Sequence, residues 1–229
     1  MIDHTRDLEA LREATGRLLA ATGGLSDSSL AEPSRLPGWS RGHVLAHLSR
    51  NADALTNVLR GRPMYASSET RDADIERDAP RPLATHLADL RESGERFLAQ
   101  ASVSADPSRT VTLRNGVTDS AARVPFRRWI EVELHHVDLG AGYELEDLPD
   151  AFVTREIEFL TERFAGHPGV VPVTAVAGDG RRWTTGGGAD GAPVTVRGPA
   201  ADLLGWLCGR RDGSALAVEG GTLPALPPL

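Results

Sequence analysis

The chain reads as an α+β protein, a four-helix bundle followed by a small α+β domain, and three observations support that class. Apolar residues recur at helical spacing in four long segments of the first part of the chain. A polar, proline-punctuated stretch, "MYASSETRDADIERDAPRP", separates the second and third of these, as a bundle with one long crossing connection needs. Beyond "ELEDLPD" the pattern shifts to β-branched residues alternating with Gly and Asp turns. That shift sets the expected domains: a helical bundle over 1–148 and an α+β domain over 149–229.

The elements follow in order. Leu8, Leu11, Leu18 and Leu19 mark a first helix over about residues 3 to 22, closed by "ATGGLSDSS". Ser40 is the expected N-cap of a second, in which Leu45, Leu48, Ala52, Leu55 and Leu59 share a stripe that ends at "RGRP". Leu83, Leu87, Leu90, Phe97 and Leu98 form the stripe of a third. Asn115-Gly116, within "RTVTLRNGV", is a turn signal for a short β element. From about Pro125 a further helix runs toward "GAGY", with Phe126, Ile130, Leu134, Val137 and Ala141 on its apolar face.

In the second domain Val153, Ile157, Leu160 and Phe164 predict one helix. "VVPVTAVAGDGRRWTTGGGADGAPVTVRG" follows with the look of antiparallel strands. Pro199 opens a short helix, "PAADLLGWLCG", and "SALAVEG" is the expected last strand.

Composition excludes several function classes. A net charge of −7 argues against a nucleic-acid partner, which requires clustered cations. All 25 basic residues are Arg, an imprint of a GC-rich genome. No run approaches the roughly 18 apolar residues of a membrane span, and no apolar leader opens the chain. One cysteine, Cys208, rules out an intrachain disulfide and a Cys-rich zinc site, and fits the reducing cytoplasm expected here. Between Leu207 and Gly209 it reads as a small core filler.

The segment "WIEVELHHVDLG", residues 129–140, concentrates the chemistry. Residues four apart on a helix are rotated by only about 40°, so Glu131 and His135 stand one above the other as two metal-ligating groups. Glu133 and His136 fall elsewhere on the circumference, toward solvent or the flank of a neighbouring helix, and read as a surface pair. Asp138 is placed to hydrogen-bond a ligand from outside. Catalytic zinc usually takes three protein ligands and keeps an open position. The third must come from another helix, and "GHVLAHL" offers His43, His47 or both. Two histidines and a carboxylate suit Zn²⁺ and also non-haem Fe(II). Trp39 and Trp129 read as core packing residues, with the lining of a cavity as the alternative role.

Three blocks, "LPGWSRGHVLAHLSRNADAL", "RRWIEVELHHVDLGAGY" and "LLGWLCGRRDGSAL", in that order, resemble the mycothiol-dependent maleylpyruvate isomerase family over nearly the whole chain. The resemblance implies a DinB-like four-helix bundle followed by a domain related to sterol-carrier proteins. It implies a divalent metal, usually zinc, on His47, Glu131 and His135, and a functional arginine at Arg210, with Arg211 as the competing assignment. Mycothiol is the implied cofactor. The implied reaction is isomerisation of maleylpyruvate to fumarylpyruvate: a thiolate adds to the cis double bond, the resulting single bond rotates, and elimination leaves the trans alkene. The implied partners are thus a small anionic substrate and a low-molecular-weight thiol.

The same site also suits a mycothiol S-transferase that conjugates another electrophile, and the sequence leaves both open. A thiol-sensing metal regulator would need cysteine ligands, and the candidate set contains none.

Overall fold

The computed structural model describes residues 3–103 and 106–228, in two compact units that divide between Tyr143 and Glu144. The chain is α+β, as expected, with a helical first unit and a mixed second one. The division falls a few residues before the expected boundary at 148/149, so the short 3₁₀ turn Leu145–Asp147 belongs with the second unit.

The first unit is built on helices α1 (His4–Thr22), α2 (Arg41–Leu59), α4 (Leu83–Ser102) and α5 (Val124–Asp138), with a shorter α3 (Ser68–Asp78) between α2 and α4. The central α2 packs on α4 and α5, while α1 packs on α5 and α4, closing a four-helix bundle. Leu11, Leu18, Leu45, Leu48, Leu90 and Phe97 fill its interior. Ser40 caps α2 as expected, its hydroxyl accepting from the His43 backbone N–H. Gly42 opens the same helix against the end of α3, where an added Cβ would stand 2.2 Å from the Ala79 carbonyl oxygen.

Helix α3 corrects the sequence reading, which took this stretch as a connection. It lacks an apolar stripe, and only Ile75 and Asp78 are buried. Ion pairs dock it: buried Asp78 accepts from Arg77 and Arg81, and Arg50 of α2 stands 3.7 Å away. Ser67 supplies its N-cap. The turn at Asn115 is present, with φ +58°, joining the antiparallel strands β1 (Thr110–Thr112) and β2 (Thr118–Ser120).

The second unit contains α6 (Asp150–Phe164), strands β3 (Val173–Ala177), β4 (Arg182–Thr185) and β5 (Val194–Gly198), then α7 (Ala200–Leu207) and β6 (Ala217–Glu219). Its sheet order is β4-β3-β5-β6. The expectation of antiparallel strands fails at one pairing: β3 and β5 are parallel, with Ala175 opposite Val196. The chain leaves the edge strand β4 and crosses to the far side of β3 before pairing again, so β5 enters from the same end as β3. Helices α6 and α7 pack together through Phe152, Ile157, Leu203 and Leu204, among others, with Cys208 buried beside them.

Candidate metal centre

The two histidines of α2 have separate tasks. His43 completes a capping box, with its Nδ1 accepting from the Ser40 N–H at 3.2 Å and its Nε2 3.3 Å from Glu76 Oε2. One turn on, His47 points into the bundle and keeps 7% of its side chain exposed. The alternatives His43 and His47 are thus distinguished by position: only His47 joins the α5 carboxylate.

Glu131 Oε2 is the point of convergence, 3.0 Å from His47 Nε2 and 3.2 Å from His135 Nε2. Ligand atoms from the three residues lie within 4.8 Å of one another, and the imidazole centroids are 4.7 Å apart, edge to face. The i, i+4 spacing on α5 and the contact between α2 and α5 produce this cluster. Glu131 keeps 31% of its side chain exposed, the most of the three.

Behind His135, Asp138 accepts a hydrogen bond from Nδ1 at 2.8 Å. That bond fixes the ring proton on Nδ1 and presents the Nε2 lone pair to the cluster, the tautomer a metal ligand needs. His47 is arranged differently. Arg71 Nη2 donates to its Nδ1 at 3.3 Å, which leaves the proton of a neutral ring on Nε2, facing Glu131. Metal binding at His47 therefore requires that proton to be given up. Two imidazoles and a carboxylate at this separation fit a divalent ion with a position left open.

The electrostatics divide the histidines further. Burial lowers the His47 pKa to about 4, against the pull of Glu131. Burial also opposes charge on His135, but Asp138 and Glu131 at its two nitrogens outweigh it and raise the pKa. For Glu131, burial is outweighed by the hydrogen bonds from His135 and His47, which hold its carboxyl well below the usual range.

The surroundings are aromatic and cationic. Trp39 lies 5.4 Å from the His47 ring, half-buried against it, and Arg71 stands over both Trp39 and Tyr65. Trp129 is a buried packing residue whose indole N–H donates to Glu133. Sequence reasoning passed over Arg71 and Tyr65 because both lie in or beside the stretch taken as a connection, where no periodic signal marks them.

Glu133 and His136 correct the expectation of a surface pair, since both are buried. Glu133 accepts from Arg17 of α1 at 2.6 Å, from Trp129 and from the Tyr143 hydroxyl at 2.9 Å. His136 stacks on Tyr143 with centroids 3.9 Å apart. Helix α1 and the turn after α5 cover this face, which the wheel of one helix cannot show.

Arg210 and Arg211 lie in the second unit, just after α7. Arg211 is committed to Asp202 at 2.5 Å and to Glu146 at 2.7 Å. Arg210 Nη1 donates to the Cys208 carbonyl, and its side chain is partly exposed. Buried Cys208 itself, with Sγ against the Gly205 carbonyl, is placed for packing.

Comparison with known proteins agrees in kind. Residues 11–140 match the family model of the mycothiol maleylpyruvate isomerase N-terminal domain, and residues 147–228 match that of the corresponding C-terminal domain. Among solved structures, the mycothiol-dependent maleylpyruvate isomerase superposes with a TM-score of 0.88 at 23% identity, covering 99% of this chain and 97% of that one. A histidine-to-alanine mutant of that isomerase superposes with a TM-score of 0.87, with the same identity and coverage. No curated protein matches the chain.

Proposed function

Since the chain belongs to the mycothiol maleylpyruvate isomerase family, a family of enzymes, we propose that it converts maleylpyruvate to fumarylpyruvate with mycothiol as cofactor. The observation that most supports this reading is the convergence of His47 and His135 on Glu131, backed by Asp138. These three residues would hold a divalent metal; the donors suit zinc and iron(II), and the family resemblance favours zinc. When bound, the metal supplies the positive charge that keeps a thiol as thiolate at neutral pH.

The protein's own residues prepare the site. Asp138 retains the Nδ1 proton of His135 and thereby aims Nε2. Trp39 walls off His47 from water on one side. The thiol has to come from outside, because Cys208 is buried in the second unit. Arg210 is our assignment, from the family resemblance of the "WLCGRRDG" block, for an arginine that anchors a substrate carboxylate. A reduced low-molecular-weight thiol places the reaction in the cytoplasm.

The test is an assay of zinc-loaded protein with mycothiol and maleylpyruvate. Appearance of the trans isomer with no net loss of thiol is expected. A stable thioether formed from another electrophile, with maleylpyruvate untouched, would replace this reading by an S-transferase.

A further inference from the structure

Arg128 is a buried cation that the proposed chemistry has not used. It is 2% exposed, and among the described residues its hydrogen bond is from Nη1 to Asn51 Oδ1 at 2.9 Å, with no carboxylate within ion-pair distance. Two other buried charges have close opposite partners: Asp78 has Arg77 and Arg81, and Glu133 has Arg17. Desolvating a guanidinium against one amide oxygen is costly. Burial pushes its pKa down to about 10, even with Glu131, the strongest of its opposing charges, acting to raise it.

Its position is tied to the cluster. Arg128, Glu131 and His135 stand at i, i+3 and i+7 on α5, one continuous stripe. On α2, His47 and Asn51 stand at i and i+4 and face that stripe. The groove between α2 and α5 therefore has two layers: His47, Glu131 and His135 in one, Asn51 and Arg128 in the next. With Nη1 on Asn51, the guanidinium keeps Nε and Nη2, the edge that grips a carboxylate at two points.

A cleft beside Tyr65 is also cationic. Tyr65, whose phenol senses the charges of Glu131, Arg71 and Arg114, forms part of the wall of a cleft of about 630 Å³ that Arg62, Arg109 and Arg114 also line. In a chain of net charge −7, this local concentration of arginine favours small anions at that cleft. A divalent ion on two neutral histidines and one carboxylate is itself net positive, so Arg128 would have no uncommitted anion nearby until a ligand brings one.

We infer that Arg128 is a carboxylate-binding residue, holding one carboxylate of a small dicarboxylate in the layer next to the metal ligands. The identity of the dicarboxylate as substrate rests on the isomerase reading; the binding itself does not.

The experiment uses maleate, a dicarboxylate of the right geometry, titrated calorimetrically into the full-length, zinc-loaded protein without thiol. Saturable binding is expected, weakened about tenfold or more in Arg128→Gln with metal content unchanged. Arg128→Lys keeps the charge but loses the planar grip, and should bind maleate severalfold more weakly. Wild-type protein that fails to bind maleate, or a folded Arg128→Gln that binds it within about twofold of wild type, would overturn the proposal. Should Arg128→Gln not fold, unchanged affinity in Arg128→Lys overturns it equally. Arg128-dependent maleate binding without turnover of maleylpyruvate would sink the isomerase reading alone. Turnover with an unchanged KM in Arg128→Gln would sink this inference alone.

Discussion

Asp138 shows how much of the proposed metal site depends on a residue outside the proposed ligand set. Its carboxylate is buried and its Oδ2 holds His135 Nδ1 at 2.8 Å, so Asp138→Asn should weaken zinc binding about 10- to 100-fold without unfolding the bundle, measured by competition with a chelator. Glu131→Ala and His135→Ala each delete a proposed ligand and should abolish metal binding and activity together. The shifted histidines also predict a pH dependence. The raised pKa of His135 means that the metal-free fold binds its proton more tightly than the unfolded chain does. That contribution is fully present below the ordinary histidine value near 6.5 and is lost as pH rises through the raised value. His47, lowered to about 4, and His86, also lowered by burial, act in the opposite sense, costing stability as pH falls below 6.5. The melting temperature of the metal-free protein should therefore be highest near pH 6.5. Asp138→Asn should flatten the alkaline decline, and a decline unchanged in that variant would contradict the assignment. Of these residues, Glu131 and His135 were legible as a pair from their spacing, and Asp138 as a neighbour. The choice of His47 over His43 came from resemblance, because nothing in "GHVLAHL" announces that His43 is occupied by the cap. The burial of Glu133 was hidden for a related reason: its partners Arg17 and Tyr143 come from other parts of the chain.

At the level of elements, the helix that carries His47 is fixed at its start. Ser40→Ala removes the cap acceptor and should cost about 1 kcal/mol in chemical denaturation, with metal content retained. Gly42→Ala drives a methyl group against the Ala79 carbonyl and should cost about 1–3 kcal/mol, as overpacked sites do. A smaller loss than for Ser40→Ala would show that α3 yields easily. Helices with an apolar stripe were readable, which is why α1, α2, α4 and α6 fall where Leu11, Leu45, Leu90 and Leu160 place them. Helix α3 was not, because ion pairs around Asp78 hold it in place and ion pairs leave no period in the sequence. The parallel pairing of β3 with β5 was unreadable for a different reason. Alternation identifies strands, but their order depends on where the chain crosses the sheet.

For the molecule as a whole, the sequence disclosed two domains of different character, and the structure gives each unit its own core, through Phe97 in the first and Phe152 in the second. No helix among the described residues is long and apolar enough to cross a membrane. The chemistry assigned to the bundle links its stability to metal: an ion bound only by the folded state raises the melting temperature in proportion to the logarithm of its concentration over Kd. Removing zinc with a chelator should lower the melting temperature of the wild type and leave that of Glu131→Ala unchanged. The central claim, that His47, Glu131 and His135 form a metal centre, is tested most directly by elemental analysis of protein prepared with zinc. About one ion per chain is expected in the wild type and almost none in His47→Ala, Glu131→Ala or His135→Ala. Less than about 0.2 ion per chain in the wild type, or a content that these substitutions do not change, would contradict it.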